Sequence, residues 1–183
     1  MKAANRQSKQ WFAQAQSAMT QHPSRIKGFR YREADEPSEE KIIADVKRHG
    51  WHIVGVPDDD AGPGFAFTVG LYLRTLQPET LIMGVPFEPS GRVLNAIGDY
   101  LMAGGEIELE RRYSEFVDGR EVIFRRIAAR HYRDYLGCAI WFYKHHAPDF
   151  PAVQCIWPDP KGRFPNESRF DQRFASRQTD LSH

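Results

Sequence analysis

Two histidines, His49 and His52, flank Gly50-Trp51, and three aspartates, Asp58, Asp59 and Asp60, follow in a turn-rich loop. Imidazole and carboxylate are the ligands that divalent metals favour, so metal ligation is the first chemistry to weigh. The spacing argues against it. A helix closing at Gly50 leaves His49 on the helix and His52 on the strand beyond, while aspartates in a Gly/Pro-rich loop ordinarily cap backbone amides. His145 and His146 are adjacent near a helix end, where their side chains diverge. The expectation is no metal and no cofactor.

Nucleophile chemistry meets similar obstacles. Trp157-Pro158-Asp159 resembles the acid-bearing loop of tyrosine phosphatases, but that chemistry needs a cysteine followed by a guanidinium, and Lys161 and Lys144 occupy the positions after Cys155 and Cys138. Gly62-Pro63-Gly64 lacks the Lys-Ser/Thr ending of a phosphate-binding loop and precedes a strand, not a helix. No Gly-x-Ser-x-Gly exists, which argues against a nucleophile elbow. Cys138 and Cys155 both sit among apolar neighbours and are expected as buried, reduced thiols.

The best site signal is the segment Gly62-Pro63-Gly64-Phe65-Ala66-Phe67-Thr68-Val69-Gly70-Leu71. As a strand it alternates, with Phe65, Phe67 and Val69 on one face and Ala66, Thr68 and Gly70 on the other. A face of small residues admits either a packed helix or a bound molecule. Tyr and Trp favour surroundings with hydrogen-bond partners, so Tyr132, Tyr135, Trp141, Tyr143 and Trp157 near Gln154 and Asp159 suggest a partly wet cavity. The expected ligand-binding set is Gly64, Ala66, Thr68, Gly70, Tyr72, Trp141, Tyr143, Gln154 and Trp157. The favoured function is noncatalytic recognition of a small molecule or protein. One alternative is metal- or acid/base-assisted hydrolysis with His52 and Asp159 as candidate catalytic residues, oriented by Thr68 and Tyr72. Another is a protein-interaction or inhibitor-like domain, and whether any reaction is catalysed stays open.

The elements that must position these residues follow from periodicity. A helix is expected within residues 3–21, on Trp11, Phe12, Ala15 and Met19. A second starts at Pro37, carries Ile42, Ile43 and Val46, and closes at Gly50 in a left-handed cap. Strands are expected over 51–56, 65–70 and 80–85, the first two as antiparallel neighbours. A helix over 89–103 ends at Gly104-Gly105. Strands over 107–113 and 120–128 are joined through Asp118-Gly119. A helix over 131–146 is interrupted at Gly137, and a last strand runs from 151 to 157. The fold class is α+β, a mainly antiparallel sheet with the Pro89 and His131 helices covering one face.

At 183 residues, with 41% hydrophobic and 13% aromatic side chains, the chain suffices for one core. The expected division is a basic extension over 1–35, one domain over 36–174 and a polar tail over 175–183. The net charge of +1 conceals a basic start, Lys2 to Arg32, before an acidic stretch from Glu33 to Asp60. No recognised nucleic-acid motif accompanies that charge, which argues against nucleic acid as partner. No apolar run is long enough for a bilayer, and the first residues lack a secretory pattern, so a cytoplasmic protein with no membrane is expected. A homodimer stays open.

Several blocks in consistent order, His49-Gly50-Trp51-His52, Gly62 to Leu71, Tyr132 to Gly137, Trp141-Phe142-Tyr143, and Gln154 to Asp159 with Gly162 and Phe164, resemble the bacterial family known as domain of unknown function 4262. The similarity spans roughly residues 49–174. It implies a compact bacterial domain and brings no established activity or catalytic residues.

Overall fold

A computed structural model of the chain describes residues 22–60 and 62–183. The helix expected within 3–21 lies outside the described residues. Helix α1, Pro37–His49, begins on a proline whose fixed φ suits a first turn. Glu39 and Glu40 sit in its first turn and Lys47, Arg48 and His49 in its last, each sign placed to favour the helix dipole. Gly50 ends it at φ 98°, with its N–H on the Val46 carbonyl, and the chain turns directly into strand β1, His52–Val56.

Strand β2, Phe65–Val69, pairs antiparallel with β1 and is followed by the one-turn helix α2, Leu71–Thr75. Strand β3, Glu79–Met83, is buried throughout, and helix α3, Phe87–Met102, follows it. Strands β4, Tyr113–Val117, and β5, Arg120–Arg126, form the hairpin that Asp118-Gly119 announces. A break at Leu136, whose φ of −126° and ψ of 29° are not helical, separates helix α4, Tyr132–Tyr135, from helix α5, Gly137–Tyr143. Strand β6, Ala152–Ile156, completes one six-stranded sheet of order β1-β2-β3-β6-β5-β4. Only the β3–β6 pair is parallel, so the sheet is mixed and mostly antiparallel, as an α+β fold.

Two expectations need correction. Residues 107–112 are not a strand: the Ile107 N–H goes to the Gln77 side chain and the Glu110 N–H to the Phe124 carbonyl, and Tyr113–Val117 takes the place beside β5. The helices do not share one face. Helix α3 packs Val93, Leu94, Ile97 and Leu101 on the sheet face carrying Ala66, Ile82, Phe124 and Cys155. Helices α1 and α5 pack Ile42, Val46, Ala139, Phe142 and Tyr143 on the opposite face with Phe67, Leu81, Met83 and Ala152. Both faces of the central strands are therefore largely apolar, which is why β3 and β6 are rich in hydrophobic residues, with Glu79, Thr80 and Gln154 as the polar exceptions.

The first and last of the described segments take part in this packing. Phe29 lies 5.4 Å from the Phe142 ring, and the Arg25 N–H bonds the Leu73 carbonyl. At the other end Leu181 is fully buried and bonded to Gln154 and Ala128. Among the described residues, no helix is long and apolar enough to cross a membrane.

Candidate functional site

Four of the residues expected to bind a ligand converge instead on one buried side chain, Glu79. Its carboxyl accepts from Thr68 Oγ1 at 2.6 Å, the Gly70 N–H at 2.8 Å, the Tyr72 N–H at 3.1 Å and Tyr143 Oη at 2.5 Å. Burial pushes the Glu79 pKa up, opposed by these same hydrogen bonds. Tyr143 is shifted well above its ordinary value by burial and by Glu79. Its hydroxyl also accepts from the Leu73 N–H, so the network fastens α2 to β2, β3 and α5. Gly70, at φ 111°, leaves no room on its inner side: an added Cβ would lie 2.8 Å from Val46 Cγ2 and 3.0 Å from the Gly50 carbonyl. Ala66 is covered by α3. The small-residue face is thus filled by protein.

The remaining expected residues are spread apart. Gln154 is buried and ties down the C-terminal segment through Thr179 and Leu181. Trp157 donates its Nε1–H to the Met83 carbonyl and meets Phe174 edge-on. Trp141 lies under the Arg32 guanidinium, 5.3 Å from carbon to ring centroid. Asp159 accepts from the amides of Lys161, Arg163 and Asp171 and from the Arg163 guanidinium. Burial pushes its carboxyl up, but those donors outweigh it and hold the pKa well below the usual carboxylate range. Asp159 therefore organises the loop after β6, and its surroundings (Ser114, Arg120, Gly162) are not those of His52.

His52 faces other partners. Its Nδ1 lies 2.7 Å from Asp45 Oδ2, which also receives Lys41 Nζ at 2.7 Å. Burial lowers the His52 pKa, partly offset by Asp45, while burial raises Asp45 but the bonds from Lys41 and His52 outweigh it and lower its pKa. A carboxylate on Nδ1 fixes the ring and leaves Nε2 to act as a base, an arrangement suited to general-base work. The ring lines an open polar groove that crosses the outer edge of β1, from Asp45 and His49 on α1 to Asn95 and Asp99 on α3. The groove presents no serine or cysteine. Among the described residues no three His, Cys, Asp or Glu side chains form a metal-ligand group. Asp58 Oδ1 and Asp59 Oδ1 accept from the amides of Gly64 and Gly62.

Beside this groove, across Phe87, lies an apolar cleft of about 590 Å3. It is lined by Gly55, Val56 and Pro57 at the end of β1, Gly64 and Phe65 at the start of β2, and Val85, Pro86 and Phe87 ahead of and at the start of α3. Gly55 lets the Phe87 ring lie against the backbone here, since an added Cβ would lie 2.3 Å from Phe87 Cε2. Phe87 itself is 60% exposed. Arg177, with Nε and Nη2 on the Gly84 carbonyl, and Asp58 are the charged residues that line the cleft. The cleft has the size and the mix of apolar walls with few polar groups typical of small-molecule sites. Of the expected ligand-binding residues, only Gly64 lines it. Asp45, Gly55, Phe87 and Arg177 were not singled out from sequence, because their meeting depends on the β1–α3 and C-terminal contacts.

Cys155 is buried, which raises its thiol pKa to about 12. Cys138 is only half-buried, its pKa raised by burial and by Glu39. Neither is a poised nucleophile.

Fold and site together describe a sheet-and-helix α+β domain with an edge cleft and a His–Asp groove, and without a nucleophile elbow or phosphate loop. The chain belongs to the domain of unknown function family DUF4262, whose family model matches residues 45–171. No curated protein and no solved structure matches it.

Proposed function

We propose that this protein recognises a small molecule without transforming it, in the cleft beneath Phe87. The observation that carries this is about 590 Å3 of mostly apolar space with Arg177 among its lining residues. A ring-sized apolar body fits against Phe65, Val85 and the Phe87 ring, and Arg177, which keeps N–H groups beyond those on Gly84, suits a carbonyl or carboxylate on that ligand. Amide chemical-shift mapping with small aromatic carboxylates such as indole-3-carboxylate tests this: saturable shifts at Gly55, Val56, Gly64 and Val85 support it.

A second function, acid/base-assisted hydrolysis, draws on one specific observation, the Asp45–His52 pair with no hydrogen bond from Nε2 to the described residues. Asp159 and Thr68 have no part in it, being bound to Arg163 and Glu79. Hydrolysis of activated esters that vanishes in His52→Gln, while melting is unchanged, would favour it.

A further inference from the structure

Arg74 and Arg125 are equally buried, each 8% exposed, yet they are neutralised differently. Arg125 meets two carboxylates, Glu110 at 2.9 Å and Asp180 at 2.8 Å. Arg74, on α2, has only neutral acceptors: the carbonyls of His22 and Val46 and the Tyr31 hydroxyl. A guanidinium has five N–H groups, so its Nε–H and one Nη1–H remain, and Nε is buried with no partner among the described residues. A buried cation held by neutral dipoles alone is costly, and the cost is relieved by an anion.

The space beside Arg74 has the right character. It is a pocket of about 310 Å3 walled by Pro23, Phe29 and Tyr31, with Lys47 and His22 at its sides. Lys47 Nζ lies over the Tyr31 ring, 4.7 Å from the centroid. No carboxylate lines the pocket, and the ion pairs among the described residues involve none of His22, Lys47 or Arg74. Tyr31 accepts from Arg74 and keeps its own proton to donate. Burial lowers the His22 pKa, and Arg74 and His49 lower it further, as expected where positive charge is gathered without a counterion.

We infer that this pocket binds the phosphate group of a small organic phosphate. Donors arrive from three separate elements, the segment over 22–31, α1 and α2, and outnumber the two parallel N–H groups that one flat carboxylate takes. That arrangement suits a tetrahedral oxyanion with several acceptor oxygens better than a flat carboxylate. The aromatic wall of Phe29 and Tyr31 takes the organic body. The pocket shares no residue with the Phe87 cleft, so either site can fail without the other.

The test uses the full chain without an affinity tag, titrated with phenyl phosphate and with inorganic phosphate against sodium chloride at matched ionic strength. Calorimetry gives affinity and amide mapping gives location. Saturable binding of phenyl phosphate is expected, tighter than inorganic phosphate, with shifts at Ser24, Tyr31, Lys47 and Arg74. Arg74 also ties down His22, Tyr31 and Val46, so its replacement would disturb the fold. The exposed Lys47 serves better: Lys47→Gln should weaken phenyl phosphate about tenfold with a near-native melting temperature. Absence of binding beyond chloride, shifts confined to another surface, or a Lys47→Gln protein that binds as wild type would overturn the inference.

Discussion

The Phe87 ring rests on the bare backbone of Gly55, so close that a Cβ there would lie 2.3 Å from Cε2. The contact joins the first turn of α3 to the edge strand β1 and forms the partition between the apolar cleft and the His52 groove. Because Phe87 is the exposed end of a mobile side chain, Gly55→Ala should push the ring outward at small cost, within about 1 kcal/mol. Aromatic carboxylate binding should change while melting stays near native. An unchanged affinity in Gly55→Ala would show that the ligand does not touch this wall.

Glu79 should behave as a buried hub. Glu79→Ala leaves the donors on Thr68, Gly70, Tyr72 and Tyr143 stranded and should cost about 3 kcal/mol or more, read from denaturant unfolding.

Glu79 also sets a pH dependence. Its folded pKa is raised above the ordinary 4.5, so the folded protein retains a proton that the unfolded chain releases. The stability linked to it is fully present below about pH 4.5 and is lost as pH rises through the folded pKa. Glu79→Gln cannot ionise and keeps an acceptor for Gly70, Tyr72 and Tyr143. Above pH 4.5 the balance of stability should therefore move towards the mutant; parallel pH curves for the two proteins would contradict this.

Asp45 raises the His52 pKa against a larger lowering by burial. Asp45→Asn should lower it further, measured by imidazole proton shifts across pH. Since the folded pKa already lies below 6.5, the stability contributed by the neutral ring is present above that value and declines as pH falls through the folded pKa. An equal or higher His52 pKa in Asp45→Asn would show that Asp45 does not govern the ring.

The chain ends should belong to the cooperative unit. A chain beginning at Glu36 loses the Phe29 and Tyr31 contacts and should melt at a lower temperature than the full protein. Leu181→Ala should cost about 3 kcal/mol. Full stability of both would place the boundaries at 36 and 174 after all.

Much of the scaffold was legible because its signals are local. Pro37 and Gly50 bracket α1, Gly104-Gly105 follows α3, and Asp118-Gly119 turns the β4–β5 hairpin. The expected strand over 107–113 failed because a distant side chain, Gln77, takes the Ile107 amide, a contact no local pattern encodes. Thr68, Gly70, Tyr72 and Tyr143, expected among the ligand-binding residues, gather around Glu79, a lone acid heading the run Thr80-Leu81-Ile82-Met83. That isolated charge was the available signal. The cleft at Phe87 had only Gly64 to announce it and the pocket at Arg74 had no signal, since each joins segments far apart in sequence.

The central claim, recognition in the Phe87 cleft, is tested most directly by amide shift mapping of indole-3-carboxylate on the wild type and on Phe87→Ala. The expected result is saturable shifts at Gly55, Val56, Gly64 and Val85 in the wild type, with affinity reduced about tenfold when the aromatic wall is removed. Absence of saturable shifts at these amides, or equal affinity in Phe87→Ala, would contradict it.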